Sequence, residues 1–506
     1  MTTTDAPPAT HGDAGRMPHG HSPHAHHGYG AGPHLDSDDG ARRPWTVLAI
    51  ALAAQILVVL DISVVNTALP TIGHSLHLRG GDLSWLVTAY LLMSGGGLLL
   101  GGRIADVFPR RRVFLTGLAV FTMGSVISAL AGNAGVLIAA RAGQGLGAAL
   151  MTPAALSLIT TTYSGAQRTR GLTLWGMVGS LGIAAGVLFG GALTTWAGWQ
   201  MIFWINVPIG AIAFCIAVVK LPKLPATHPG LAQLDLPGGA AVVLGLGTLI
   251  FGIESVTSHG WTAPRTIAAF IAATVLLGAF SRHEQRVAHP LVPPHTWRLR
   301  SLVAGTGTMA GITAILVGVI FLISIFCQTV LGYSALRTGL ALLPLAAAIT
   351  ASAHVAGHLL QHLTARTVAA SGLIAAAAGA LLLQRATAHP GSYVTTLLPA
   401  VIVLGLGAGV GFIAVSISAM AEVPTAHAGM ASGLLMTGHE VGAALGVAVL
   451  GAAASSAGTL ATAAGAAVGT GRGFAVAGML ALIVAAVSAL TLPKTKATAG
   501  APIHMH

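Results

Sequence analysis

The sequence predicts an all-α polytopic membrane protein with fourteen transmembrane helices, and three observations carry that expectation. Only 7% of the 506 residues are charged and 54% are hydrophobic, whereas soluble domains carry about 25% charged residues. Apolar runs of about 20 residues, the length that crosses a bilayer as a helix, recur along the whole chain. The cations fall between those runs with a bias that alternates from one connection to the next, as the positive-inside rule requires of a chain that crosses repeatedly.

A hydropathy window of about 19 residues places the spans at 45–68, 83–101, 113–131, 135–159, 172–194, 200–219, 238–255, 266–281, 302–325, 339–359, 367–384, 394–418, 429–454 and 473–491. With the N-terminus in the cytoplasm, eighteen of the 24 Lys and Arg residues lie on the cytoplasmic side. Five lie outside (Arg79, Arg265, Arg337, Arg385 and Arg472), and Arg141 sits within a span. An odd number of spans would scramble this bias downstream of the error. Both termini are therefore expected in the cytoplasm of a multi-pass protein of the cell membrane.

Composition also narrows the function. The formal charge of +11 is spread between apolar runs rather than clustered with aromatics, so nucleic acid is not an expected partner. Cys215 and Cys327 lie inside apolar runs and form no CxxC pair, which argues against a disulfide framework or zinc site. No removable signal peptide is evident in the first 40 residues. HExxH, GxSxG and Walker patterns are absent from the sequence, which disfavours an enzyme, and no cofactor is expected. The N-terminal segment is rich in Gly, Pro and His, with seven histidines between His11 and His34. It reads as a disordered, solvated tail; binding of a soft divalent metal is the alternative.

Within the first span, LDISVVNTALP (residues 60–70) places Asp61 after a run from Trp45 to Leu60 in which only Thr46 and Gln55 are not apolar. An ionised carboxylate there costs roughly 2.5–3.5 kcal/mol on insertion scales. Asp61 ends the span, pairs with a cation, or changes protonation during a cycle. GGRIADVFPRRR (101–112) closes the second span with Asp106 and a cationic anchor, Arg110, Arg111 and Arg112. That loop reads as a polar latch or as a plain topological signal. RAGQGLGAALMTP (141–153) puts Arg141, Gln144 and Ala148 on one helical face, and a lone intramembrane arginine should meet an anion. GIAAGVLFGG (182–191) carries Gly182, Gly186 and Gly190 at spacing four, followed by Gly191, a smooth ridge for close helix approach.

Together with GWQMIFWINVPIG (198–210), DLPGG (235–239), the GW at 260–261 and the E-x5-P-L-V-P-P run from Glu284, these segments resemble, in order, those of major facilitator superfamily transporters. The fourteen-span drug:proton antiporters of the EmrB/QacA type are the nearest resemblance, from about Trp45 to Leu492. The resemblance implies a major facilitator fold of two six-helix bundles with two inserted linker helices. It divides the chain into a tail (1–44), a first bundle (45–219), a linker (220–300), a second bundle (301–492) and a tail (493–506).

By the same resemblance, Asp61 and Arg141 belong to proton coupling and Asp106 to the latch. The chain departs from the family pattern at Val107, at Pro109 and at Val187, which stands where a proline is usual. In the second half, GMASGLLMTGHEVGAALGVAVLG (429–451) repeats the glycine ridge at Gly438, Gly442 and Gly446 and adds His439 and Glu440 at mid-span. These two are candidate proton or cation ligands, or a buried hydrogen-bonded pair. Asn66, Gln144, Met436 and Glu440 are the candidate substrate-binding residues. His354, His358 and His362 share one helical face, as an eroded counterpart of the latch loop or as a metal site.

The implied activity is proton-coupled export of hydrophobic or cationic organic compounds by alternating access, with a monomer in the lipid bilayer as the expected unit. Narrow export of one metabolite or self-made antibiotic, metal export and import are the alternatives.

Overall fold

The computed structural model describes residues 44–78, 80–163, 165–221, 235–288, 290–292, 296, 298–388, 393–423 and 428–494. The expected N-terminal tail, Pro44 apart, and all but the first residues of the C-terminal tail lie outside the described residues. The described chain is built of helices: α1 (Pro44–Ser75), α2 (Gly80–Val107), α3 (Arg110–Ala129), α4 (Ala134–Thr162), α5 (Gly165–Ala197), α6 (Met201–Trp204), α7 (Asn206–Lys220), α8 (Leu236–His259) and α9 (Pro264–Glu284). After the linker come α10 (Arg300–Ile325) with a π-helical turn (Phe326–Val330), α11 (Ala335–His362), α12 (Ala365–Ala388), α13 (Leu397–Met420), α14 (Ala428–Ser455) and α15 (Ala463–Thr491).

Among the described residues, thirteen passes are long and apolar enough to cross a bilayer, with α6 and α7 forming one of them. The fourteenth is α5, whose 33 residues exceed a bilayer core at about 1.5 Å per residue. Side chains cap several of the helix starts. Asn133 accepts from the Val136 amide at 3.0 Å to open α4, and Ser334 accepts from Arg337 at 3.2 Å to open α11. The last span begins at 463 rather than the expected 473. Its first turns, AAGAAVGTGR, are too small and polar to register as an apolar run, but Thr462 caps them through Gly465 at 3.3 Å. Pro109, in place of the family's glycine, is the N-cap residue of α3, and its carbonyl accepts from Arg112 at 2.8 Å. A proline fits there because that position needs no helical N–H.

Packing repeats between the halves. In the first, α1 packs on α5, α2 and α3 on α4, and α3 on α7; in the second, α10 packs on α14, α11 and α12 on α13, and α12 on α15. The helices are equivalent under a shift that maps α1–α5 onto α10–α14. The glycine ridges follow the same rule. A Cβ on Gly182 would meet Val59 at 3.0 Å and one on Gly186 would meet Leu60 O at 3.1 Å, so the first ridge rides on α1. A Cβ on Gly438 would meet Thr306 O at 2.9 Å and one on Gly442 would meet Thr313 Oγ1 at 2.6 Å, so the second rides on α10. With Val187 in place of proline, α5 runs unbroken through the motif.

The halves meet along two seams, α2 with α14 and α5 with α11. Gly191 does not belong to the ridge on α1: its Cβ would meet Ala335 O at 2.6 Å, across the seam in α11. Among the described residues, three hydrogen bonds join the halves. Ser324 donates to Asn66 O, Gln328 Nε2 to Thr67 O at 2.7 Å, and the Leu336 amide to Thr195 Oγ1 at 3.2 Å. All three lie toward the face where α1 and α5 end and α11 begins. Gln328 belongs to the π-helical turn, a distortion that often marks functional positions.

The extra hairpin, α8 and α9, lies along the α2–α14 seam, where α8 touches both helices. Its sequence signatures have local roles. Asp235 caps α8 through the Gly238 amide at 2.9 Å, and a Cβ on Gly238 would stand 2.7 Å from the Asp235 carboxyl carbon. His283 Nε2 lies 2.6 Å from Asp235, while Glu284 accepts from the Leu291 and Val292 amides at 3.2 and 2.8 Å. Burial pushes the Asp235 carboxyl up, but the Gly238 amide, Glu284 and His283 together hold it below the usual aspartate range.

Candidate functional site

Asp61 is wholly buried, and so is every group around it. Arg141, at 1% exposure, forms an ion pair with Asp61 Oδ2. Oδ1 accepts from Gln144 Nε2 at 3.0 Å and from Asn206 Nδ2 at 2.9 Å. The carboxylate thus receives donors from α4 twice and from α7 once. Arg141 is fixed in turn: its Nε donates to Leu86 O at 3.1 Å, Nη1 donates to Gln144 Oε1 at 2.9 Å, and its guanidinium lies 4.4 Å over the Tyr90 ring. Cation–π contact on one side and a carboxylate on the other suit a planar, weakly hydrated guanidinium.

Gln144 connects this group to α3. Its amide donates to Ser125 Oγ at 2.8 Å as well as to Asp61, and Oε1 accepts from Ser128 at 3.2 Å as well as from Arg141. Both donors and both acceptor positions are occupied. The side chain expected as a substrate ligand is therefore committed to the carboxylate's surroundings. Close helix approach makes this possible. A Cβ on Gly145 would stand 3.0 Å from Met93 Cβ on α2, and one on Gly124 would stand 2.7 Å from Gln144 Cγ.

His439 and Glu440 form a second polar group at the α2–α14 seam. Gly95 of α2 faces Glu440, and a Cβ there would come within 2.5 Å of the glutamate Cβ. The two neighbours meet each other rather than separate partners, His439 Nδ1 standing 3.5 Å from Glu440 Oε1. They are more open than Asp61, with 32% and 15% exposure. Glu440 Oε2 is buried without a hydrogen-bond partner among the described residues, as is the Tyr90 hydroxyl. The His439 ring meets Phe412 edge-on at 5.9 Å. Tyr90 and Gly95 belong to one helix, α2: the first lies under the Arg141 guanidinium and the second faces Glu440.

The remaining candidates separate. Asn66 lies at the crossing of the halves, its carbonyl taken by Ser324 and its amide donating to Ile62 O at 3.0 Å. Met436, 36% exposed, is on α14 one turn before Glu440. Asp106 falls in the last turn of α2, and its side chain lies outside the described part of the structure. Arg110, Arg111 and Arg112 open α3; Arg111 donates to Val218 O near the C-terminal end of α7, where a cation is favoured by the helix dipole. That tie stays within the first half. His354, His358 and His362 lie along the end of α11, and no three His, Cys, Asp or Glu among the described residues gather as a metal site.

The sequence reading missed Asn206, Ser125, Ser128 and Tyr90. Asn206 carried a signal: after Gln200 it is the only amide side chain in the sixth apolar run.

A model of the Major Facilitator Superfamily matches residues 51–447. The chain belongs to the major facilitator superfamily. Within it, the chain is 38% identical over 412 residues to the puromycin resistance protein pur8 of Streptomyces alboniger, covering 81% of each. It is 38% identical over 411 residues to the cephamycin export protein CmcT of Amycolatopsis lactamdurans, covering 80% of this chain and 84% of that one. It is 31% identical over 412 residues to the multidrug resistance protein Stp of Mycobacterium tuberculosis (strain ATCC 25618 / H37Rv), with coverages of 80% and 75%. Among solved structures, the fold matches the POT-family peptide transporter PepTSo with a TM-score of 0.65 at 15% identity, covering 88% of this chain and 97% of that one. The superfamily fold therefore encloses the Asp61 group in one bundle and presents Glu440 at the seam.

Proposed function

We propose that the chain exports antibiotics or related hydrophobic or cationic organic molecules in exchange for protons, with Asp61 as the proton carrier. The observation that carries the reading is the sealed Asp61–Arg141 pair inside the first bundle, in a chain related to resistance and export proteins over four-fifths of its length. A buried carboxylate stays ionised while a guanidinium and amide donors surround it; withdrawing them leaves a buried carboxyl that takes up a proton. Rocking of the halves that alters the α1–α4 and α1–α7 contacts then links proton uptake to access.

In this reading the termini are cytoplasmic, as the cation distribution favours, and the present contacts between halves close the outer face. Glu440, with His439, receives a cationic part of the substrate. The proton gradient supplies the drive, about 2.3 kcal/mol per charge for each 100 mV, with no cofactor or enzymatic step. The working unit is one chain in the cell membrane.

Narrow specificity is the second reading, favoured by relatives named for single antibiotics. Expression in a host stripped of its own pumps, with a drug panel that includes puromycin, cephamycin and lincomycin, separates the two. Broad resistance supports multidrug export, and resistance to one compound supports the narrow reading. In everted vesicles, drug addition should dissipate a proton gradient with the wild type and leave it intact with Asp61→Asn. Equal dissipation by both would refute the proton role.

A further inference from the structure

We infer that Asn206 is a positioning residue that reads the protonation state of Asp61 and passes it to α7. The inference rests on the proton-exchange reading above. Asn206 stands at the first position of α7, directly after Ile205, whose backbone is itself helical and keeps its bond to Met201 O at 3.1 Å. It is wholly buried. Its amide nitrogen donates to Asp61 Oδ1 at 2.9 Å, while its own Oδ1 is buried with no hydrogen-bond partner among the described residues. A buried acceptor left unmatched is destabilising by about 1–3 kcal/mol, so its retention beside a carboxylate calls for a physical reason.

Protonation of Asp61 supplies that reason. An ionised carboxylate only accepts; a carboxylic acid also donates. Turning the Asn206 amide by half a turn presents Oδ1 to the new O–H. One side chain then serves both states, as donor to the carboxylate and as acceptor from the acid. Gln144 has no such freedom, because all four of its positions are occupied. Arg141 can only donate. Asn206 is therefore the ligand able to reverse its polarity.

Of the charged and titratable groups near Asp61, Arg141 comes from α4, Tyr90 comes from α2 against that guanidinium, and Glu440 of α14 lies across Gly95 of α2. The faces of α5 and α7 that pack on α1 contribute glycines and the Asn206 amide, and α3 contributes Ser125 and Ser128 through Gln144. Asn206 is the part of this group that is neutral in both states and free at one end.

The test uses full-length protein in lipid and follows the infrared band of protonated carboxyl groups against pH, without any drug. The component lost in Asp61→Asn is assigned to Asp61. Asn206→Leu removes both donor and acceptor. The bond to the charged form is the stronger of the two, so the Asp61 midpoint should differ from that of the wild type. Asn206→Ser keeps a donor and an acceptor with shorter reach and should move it less. If the Leu variant does not fold, Asn206→Ala against Asn206→Ser gives the same comparison. Midpoints equal to wild type in the folded variants would overturn the role of Asn206. A spectrum in which Asp61→Asn removes no pH-dependent component would instead overturn the proton reading on which it rests.

Discussion

Two of the intramembrane acids of this transporter, Asp61 and Glu440, are held in opposite ways. Asp61 has no exposure and takes donors from Arg141, Gln144 and Asn206, all within the first bundle. Glu440 lies at the seam between halves, is partly exposed, touches only His439 among described polar side chains, and leaves one oxygen unmatched. A sealed acid can hold and release a proton without meeting the cargo. An acid at the seam can meet a cargo that passes between the halves. In the proposed cycle, coupling then belongs to the sealed acid and recognition to the acid at the seam.

The largest expected effect breaks that contrast directly. Asp61→Asn should abolish proton-coupled export of every substrate, whereas Glu440→Gln should reduce export of cationic substrates several-fold and spare uncharged ones. Drug accumulation assays with paired charged and neutral compounds check this; equal losses for both variants across all compounds would merge the two sites into one. Next in size is Arg141→Leu, which leaves a buried charge unpaired. It should lower stability by about 3–5 kcal/mol, and adding Asp61→Asn should recover part of that loss. Thermal unfolding in detergent of the single and double variants reads it.

Smaller effects test the symmetry of the halves. Gly186→Leu and Gly442→Leu each force a side chain into a helix crossing, at Ser63 and at Ala310–Thr313. Overpacking of this kind costs about 1–3 kcal/mol, and both variants should lose similar stability because each ridge serves the same pair of helices in its own half. A loss confined to one would show that the repeat is only geometric.

The smallest effect concerns the hairpin. The Asp235 carboxyl is held below its ordinary range, so its contribution is present above the unfolded aspartate pKa, about 3.9, and is lost as pH falls through the lower folded value. Asp235→Ala should therefore cost about 1 kcal/mol at neutral pH and progressively less in strong acid, as followed by unfolding at several pH values.

Much of this was readable beforehand. Hydropathy and cation placement were enough for the passes because both are properties of single segments. Asp61, Arg141 and Gln144 stood out because a charge or amide inside an apolar run is expensive. Their partnership, though, joins residues 80 or more apart, and Ser125, Ser128 and Tyr90 look ordinary in their own helices. Gly191 illustrates the same limit: spacing grouped it with the ridge of α5, while only the packing shows that it faces α11. The early start of α15 was hidden because small residues need a cap and a neighbour, not hydropathy, to make a helix.

In the proposed exchange, Asp61 is the group that gives up a proton for the drug. This is tested most directly by adding a transported drug to purified protein in weakly buffered solution and recording released protons. The account predicts release from the wild type and none from Asp61→Asn, although that variant still binds the drug. Equal release from both proteins would contradict it.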